Sequence, residues 1–142
     1  MTTGPIPERD LQRVADAHER FMAAIVGLGD ADVRRPSLLP GWRVAHVLTH
    51  VARNADSHRR RAAAAGRDAL VDQYPGGYAG RTAEIEQGVA RPATEIADDV
   101  AAAADAMQAA WRSVPDGAWD TISRDVGGTE RPLRALPPRR WQ

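Results

Sequence analysis

His46 and His50 lie four residues apart, in a segment with the apolar spacing of a helix. At that separation two imidazoles share one helix face and could reach the same metal ion. No glutamate follows the first histidine, so the HExxH signature is absent. At about 100° per residue, His50 falls at the edge of the apolar stripe and His46 points further toward solvent. His50 is thus either a metal ligand or a hydrogen-bonded histidine near the core, and spacing alone identifies no further ligand.

Arg81 is the second candidate functional residue. It follows a glycine-rich segment, residues 74–80, and opens a short predicted helix. From such a position a guanidinium can grip a carboxylate through two hydrogen bonds, although a surface arginine at a helix start is the alternative. The Arg59–Arg61 run lies late in its helix, where positive charge suits the helix dipole, and it is interpreted as a solvated face.

Composition excludes several classes of protein. The 142 residues suffice for one domain, and 19 arginines balance 19 acidic side chains. This balance argues against a nucleic-acid partner, and no apolar run is long enough to span a membrane. No signal peptide is visible, and with no cysteine in the sequence a cytoplasmic location is expected. Disulfide scaffolds, thiolate metal sites and cysteine nucleophiles are excluded.

Apolar residues at three- and four-residue steps predict three long helices. The first covers residues 7–29, the second runs from Val44 to Gly66, and the third follows Pro92 and carries Ile96 to Val114. A loop is predicted over residues 72–80 and a short helix over 81–89, while residues 119–128 are either an irregular loop or a two-stranded hairpin. Leu136-Pro137-Pro138 predicts the start of a fourth helix. The sequence therefore predicts an all-α four-helix bundle whose last helix is only begun.

Several motifs resemble the mycothiol-dependent maleylpyruvate isomerase family, a group of DinB-like metal-binding helical bundles. The most specific stretch is RPSLLPGW at residues 35–42 followed by HVLTHVARNAD at residues 46–56. YPGG at residues 74–77, RTAEIE at 81–86 and LPPRRWQ at 136–142 match further family segments in the same order. The resemblance covers most of the chain.

This resemblance implies an up-down-down-up four-helix bundle that carries a divalent metal, usually zinc. His50 matches the ligand on the second helix, whereas the family's glutamate and histidine ligands on the fourth helix would fall just beyond Gln142. Residues 1–142 are accordingly expected to be an N-terminal metal-binding domain, truncated before the end of helix four and before a C-terminal domain.

The resemblance also implies a reaction. Mycothiol, as thiol cosubstrate, adds to the cis double bond of a small molecule, the adduct rotates, and elimination gives the trans isomer. Arg81 matches a family arginine implicated in substrate handling and is expected to hold a substrate carboxylate. Two alternatives stay open: a mycothiol S-transferase acting on an electrophilic metabolite, and a non-catalytic helical binding module.

Overall fold

The computed structural model describes residues 5–67 and 70–141. Six helices form within these ranges: α1 (Glu8–Ile25), α2 (Asp30–Val33), α3 (Val44–Ala63), α4 (Gly77–Gly88), α5 (Ala93–Arg112) and α6 (Pro138–Trp141). Between α5 and α6, two short 3-10 turns flank an antiparallel hairpin of β1 (Ile122–Arg124) and β2 (Glu130–Pro132). The prediction of an all-α chain is confirmed, with this small hairpin as its only sheet in the described residues.

The core lies mainly between α3 and α5, the two longest helices. The apolar stripe predicted for the third long helix, which corresponds to α5, is buried along its whole length, from Ile96 to Val114. Near the C-terminal end of α5, Trp111 is fully buried, and the centre of its ring lies 5.3 Å from that of His58 on α3. Burial of this continuous stripe stabilises the packing of α3 on α5 and so fixes the orientation of the polar face of α3.

The first predicted helix is shorter than expected. It ends at Ile25, ahead of Gly27 and Gly29, because glycine has a low helix propensity. After this end, Asp30 starts the one-turn helix α2. Its carboxylate accepts a hydrogen bond of 2.7 Å from the backbone N–H of Ala93, at the first turn of α5. Asp30 thereby ties the α1–α3 connection to the start of α5.

Helix α4 begins four residues earlier than predicted, at Gly77 rather than Arg81. The glycines that suggested a loop are the residues that allow this start. Gly76 adopts a left-handed conformation with φ of +78°, and a Cβ on Gly80 would lie 1.7 Å from the carbonyl oxygen of Pro75. At the other end, a Cβ on Gly88 would lie 2.5 Å from the Thr49 methyl, so glycine permits the close approach of α4 to α3.

The segment after α5 forms the two-stranded hairpin, one of the two predicted alternatives, and pairs Ile122 with Pro132. The predicted start of a fourth helix is confirmed by α6, which packs against α1. The Arg13 guanidinium of α1 lies 4.6 Å from the centre of the Trp141 ring, a cation–π contact. In the described residues, no helix has the length and hydrophobicity needed to cross a membrane.

Candidate functional site

A cavity of about 540 Å³ opens beside the polar face of α3, between the start of α4, the hairpin and α6. Its wall is mostly polar, and the lining side chains come from every one of these elements: His50, Asn54, His58 and Arg61 of α3; Gln73, Tyr74, Tyr78 and Arg81 around α4; Ser123, Asp125, Val126, Gly127, Thr129 and Arg131 of the hairpin; and Leu136, Arg139 and Arg140 next to α6.

The charge of this lining is strongly unbalanced. Five arginines face one carboxylate, that of Asp125. Arg131 binds this carboxylate at 2.7 Å, and that hydrogen bond lowers the pKa of Asp125. Four guanidinium groups of the lining therefore have no carboxylate partner within 4 Å in the described part of the chain. Such a cavity favours an anionic small molecule over a neutral or cationic one.

His50 and Arg81, the two predicted site residues, meet at one end of the cavity. An Nη2 N–H of Arg81 donates to Nδ1 of His50 at 3.4 Å. Burial lowers the pKa of His50 to about 4, with further lowering by Arg81 and Arg140. His50 is therefore neutral at pH 7, the form that an imidazole needs in order to act as a metal ligand or a hydrogen-bond acceptor.

Arg81 lies in the second turn of α4, not at the helix start as predicted. Its guanidinium carbon lies 5.6 Å from the centre of the Trp42 ring and 5.9 Å from that of Tyr74. These rings support the cation without neutralising it, which leaves its charge available to a ligand.

Asn54 continues the polar face of α3 one turn beyond His50. It donates to the hydroxyl of buried Tyr74 at 3.2 Å and accepts from Arg140 at 3.1 Å. Burial lowers the pKa of Arg140, which has no ion pair with any residue in the described ranges. Asn54 thus links α3, the segment before α4, and α6 around the middle of the cavity.

Arg61 contradicts the prediction that the Arg59–Arg61 run is a solvated face. Its residue surface is only 4% exposed, and it lines the cavity together with His58. Its place follows from helical spacing, since Arg61 lies eleven residues after His50, three helical turns along the same face. The spacing of four, four and three residues between His50, Asn54, His58 and Arg61 is the sequence signal that places Arg61 on this face of α3.

His46 does not point to solvent, which corrects a second prediction. It is 9% exposed, stacks on Trp42 at 6.0 Å, and lies 3.1 Å from a Glu86 carboxylate oxygen. Its Nδ1 accepts from the backbone N–H of Arg43 at 3.1 Å, at the first turn of α3. His46 joins α4 to the start of α3 and lies outside the cavity.

The described residues do not by themselves fit a metal site. Between residues 5 and 67 and between 70 and 141, no three His, Cys, Asp or Glu side chains converge in a way that could hold an ion. His50 is the one side chain of the predicted ligand set in these ranges, because the resemblance puts the other two beyond Gln142. A stable divalent site needs about three protein ligands.

Comparisons with known proteins show the family and the fold of the chain. A model of the mycothiol maleylpyruvate isomerase N-terminal domain family matches residues 14–142. Two solved structures, a mycothiol-dependent maleylpyruvate isomerase and a histidine-to-alanine mutant of it, superpose with TM-scores of 0.89 and 0.88 at 21% and 20% identity. Each match covers 94% of this chain and 55% of the other, so the chain spans about half the length of these structures. The search of curated proteins finds no match.

Proposed function

Because the chain belongs to the mycothiol maleylpyruvate isomerase N-terminal domain family, we propose that it is part of a mycothiol-dependent isomerase. The substrate is a small dicarboxylate with a cis double bond conjugated to a carbonyl group, of the maleylpyruvate type. The observation that carries this proposal is the cavity in which five arginines face a single carboxylate.

The cavity supports an anionic substrate in two respects. Arg81 offers a guanidinium without a carboxylate partner in the described residues, at the sequence position that the family resemblance assigns to substrate handling. Its five N–H donors can hold a carboxylate in a fixed orientation. Neutral His50 next to it adds no competing charge.

The reaction needs a nucleophile that this chain does not contain, since its sequence has no cysteine. A mycothiol thiolate adds to one carbon of the double bond, and the electron pair of that bond moves onto the conjugated carbonyl oxygen. Rotation about the resulting single bond follows. The oxyanion then collapses, the trans double bond forms, and the thiolate leaves unchanged. A positively charged cavity stabilises both the thiolate and the oxyanion.

We further propose that His50 is one ligand of a divalent metal, zinc in the first instance, with its other ligands outside the described residues. Support comes from the family position and from the low pKa of His50, which keeps its imidazole deprotonated. The described residues alone do not supply three converging ligands, so the site needs donors from elsewhere. The cytoplasm is the proposed location, because free thiols stay reduced there.

The test of the isomerase proposal uses the full-length protein, maleylpyruvate and a small amount of mycothiol. We expect formation of the trans isomer over many turnovers with the thiol concentration unchanged. Loss of one thiol for each product formed would support the S-transferase alternative. No change in either compound would overturn both enzymatic proposals and favour the binding module.

The test of the ligand proposal is the metal content of full-length His50→Ala purified without chelator. We expect about one divalent ion per wild-type chain and substantial loss in the variant. His46→Ala is the matched control, because His46 lies one turn earlier on α3 and outside the cavity. Full occupancy in His50→Ala would contradict the assignment.

A further inference from the structure

We propose that Arg61 forms a second carboxylate subsite in the cavity that Arg81 also lines, so that the site selects elongated dicarboxylates. The identity of the ligand rests on the proposed function, whereas the subsite itself is argued from the surroundings of Arg61. It assigns a specificity-determining role to a residue far along α3 from His50.

Arg61 is a buried cation whose hydrogen-bond partners are all neutral. Its Nε donates to the carbonyl oxygen of Ser57 at 3.3 Å, and its Nη2 lies 3.1 Å from Nδ1 of His58. Its bonds to the hydroxyls of Ser57 and Ser123 are 3.4 Å long, at the weak end of the normal range. These contacts orient the guanidinium and leave its charge uncompensated.

The adjacent groups supply little of the missing negative charge: Tyr74 and Asp125 raise the pKa of Arg61 by less than burial lowers it. His58 is buried and the pKa of its imidazole is well below the usual value, because of burial and then the charge of Arg61. Asp125, the carboxylate of the cavity lining, is bound to Arg131 and accepts backbone hydrogen bonds from Gly127 and Thr129. Burying an unpaired charge is unfavourable, so a protein rarely retains one without a use for it.

Burial lowers the pKa of Arg61 to about 10, which leaves the side chain positively charged at neutral pH. An anion entering the cavity would therefore meet a guanidinium that has already lost most of its hydration. The buried, pre-formed surroundings of this guanidinium strengthen such a contact relative to one made on the surface.

The spacing along α3 of the two histidines that the arginines contact determines the shape of the ligand. Arg81 contacts His50 and Arg61 contacts His58, and these histidines lie eight residues apart, about 12 Å along the helix axis. A molecule that reaches both guanidinium groups needs its carboxylates at opposite ends of a chain of several carbons. A short diacid such as malonate reaches one of them at most.

The test measures equilibrium binding to the full-length protein by calorimetry, without any thiol. The probes are unreactive saturated acids: pimelate with two distant carboxylates, malonate with two close ones, and heptanoate with one. We expect wild-type protein to bind pimelate about tenfold or more tightly than heptanoate or malonate. Equal affinity for the three acids in the wild type overturns the proposal, whatever the variants show.

Arg61→Met removes the charge and keeps a similar volume. We expect its affinity for pimelate to fall to that for heptanoate, while heptanoate binding stays the same. Arg59→Met is the matched control, since it loses the same charge on the same helix outside the cavity. Unchanged preference for pimelate in folded Arg61→Met overturns the proposal.

Thermal unfolding distinguishes a binding role from a structural one. Removing a buried, uncompensated charge should leave the melting temperature equal or higher, whereas loss of a structural arginine should lower it. If Arg61→Met does not fold, Arg61→Lys serves instead, since it keeps the charge but not the planar fork. A several-fold loss of the preference for pimelate is then expected in Arg61→Lys. An unchanged preference would contradict the subsite.

This measurement is independent of turnover, so the two proposals can fail separately. If the wild-type protein does not isomerise maleylpyruvate but Arg61→Met loses the preference for pimelate, the subsite proposal stands and the isomerase proposal fails. If the wild-type protein isomerises maleylpyruvate but shows no preference for pimelate, the isomerase proposal stands and the subsite proposal fails.

Discussion

The arginines on the two sides of α3 have opposite surroundings. On the side away from the cavity, Arg53 binds Asp56 at 3.2 Å and also pairs with Asp99 of α5, whose second oxygen binds Arg91 at 2.9 Å. On the cavity side, the hydrogen-bond partners of Arg61 and Arg81 among the described residues are all neutral. One helix thus carries the same residue type in a neutralised cluster and in an uncompensated one.

This difference in pairing predicts that the paired arginines contribute to stability and the unpaired ones to ligand binding. A cation paired with a carboxylate inside the protein joins elements of the fold and has little charge left for a ligand. A cation held by hydroxyls, imidazoles and aromatic rings is oriented but not neutralised, so it attracts an anion from solution. We therefore expect substitutions on the two sides of α3 to change different measurable quantities.

The largest effect is expected from Arg81→Gln on catalysis. Loss of the guanidinium should lower kcat/KM for isomerisation on the order of 100-fold, because one positioned charged donor to the substrate disappears. Steady-state kinetics of the full-length protein measure this, with Arg53→Gln as the control of equal charge change. A similar loss of activity in both variants would contradict the prediction that only the cavity side of α3 binds the substrate.

A smaller effect, on stability, is expected from Asp99→Asn. The substitution leaves Arg53 and Arg91 without their shared carboxylate, whose side chain is only 19% exposed. We expect the free energy of unfolding to fall by about 1–3 kcal/mol, measured by urea denaturation, with pimelate affinity unchanged. Weaker pimelate binding with unaltered stability would contradict the comparison.

The smallest effect concerns pH and depends on His58. Its folded pKa is lowered by burial, so the unfolded chain binds the proton more readily below pH 6.5. Stability should therefore be fully present above about pH 6.5 and decline as the pH falls toward the folded pKa, by at most about 1.4 kcal/mol per pH unit for this group. Urea denaturation of wild-type protein and His58→Gln between pH 7.5 and 5 measures it, and the variant should show a shallower decline. Equal slopes would show that His58 does not titrate differently on unfolding.

Much of the fold could be predicted because it depends on repeating local patterns. The stripe from Ile96 to Val114 is long and regular, and burying it fixes α5 whatever the details of its neighbours. The side of α3 that carries His50, Asn54 and His58 follows from the same periodicity. Prediction was weaker at residues 72–80, where the glycines that usually interrupt helices instead allow the chain to turn tightly into α4.

The candidate site could be predicted only in part. Helical phase put His50 on the inner side of α3, yet the same reasoning left His46 toward solvent, because it could not include the Glu86 carboxylate that α4 brings to 3.1 Å. The interpretation of Arg61 as solvated treats the run of three arginines as a unit, although the helical phase that Arg61 shares with His50 indicates the cavity side of α3. What the sequence does not indicate is that the hairpin covers Arg61 there.

The sequence by itself determined the long helices, their apolar faces and the side of α3 on which its polar residues lie, because these follow from chain periodicity and local backbone preference. Only the tertiary structure decided which arginines keep an unpaired charge. That outcome depends on whether distant segments supply a carboxylate, as α5 does with Asp99, or a hydroxyl, as the hairpin does with Ser123. Electrostatic compensation is set by contacts between residues far apart in the chain, and local sequence carries no record of them.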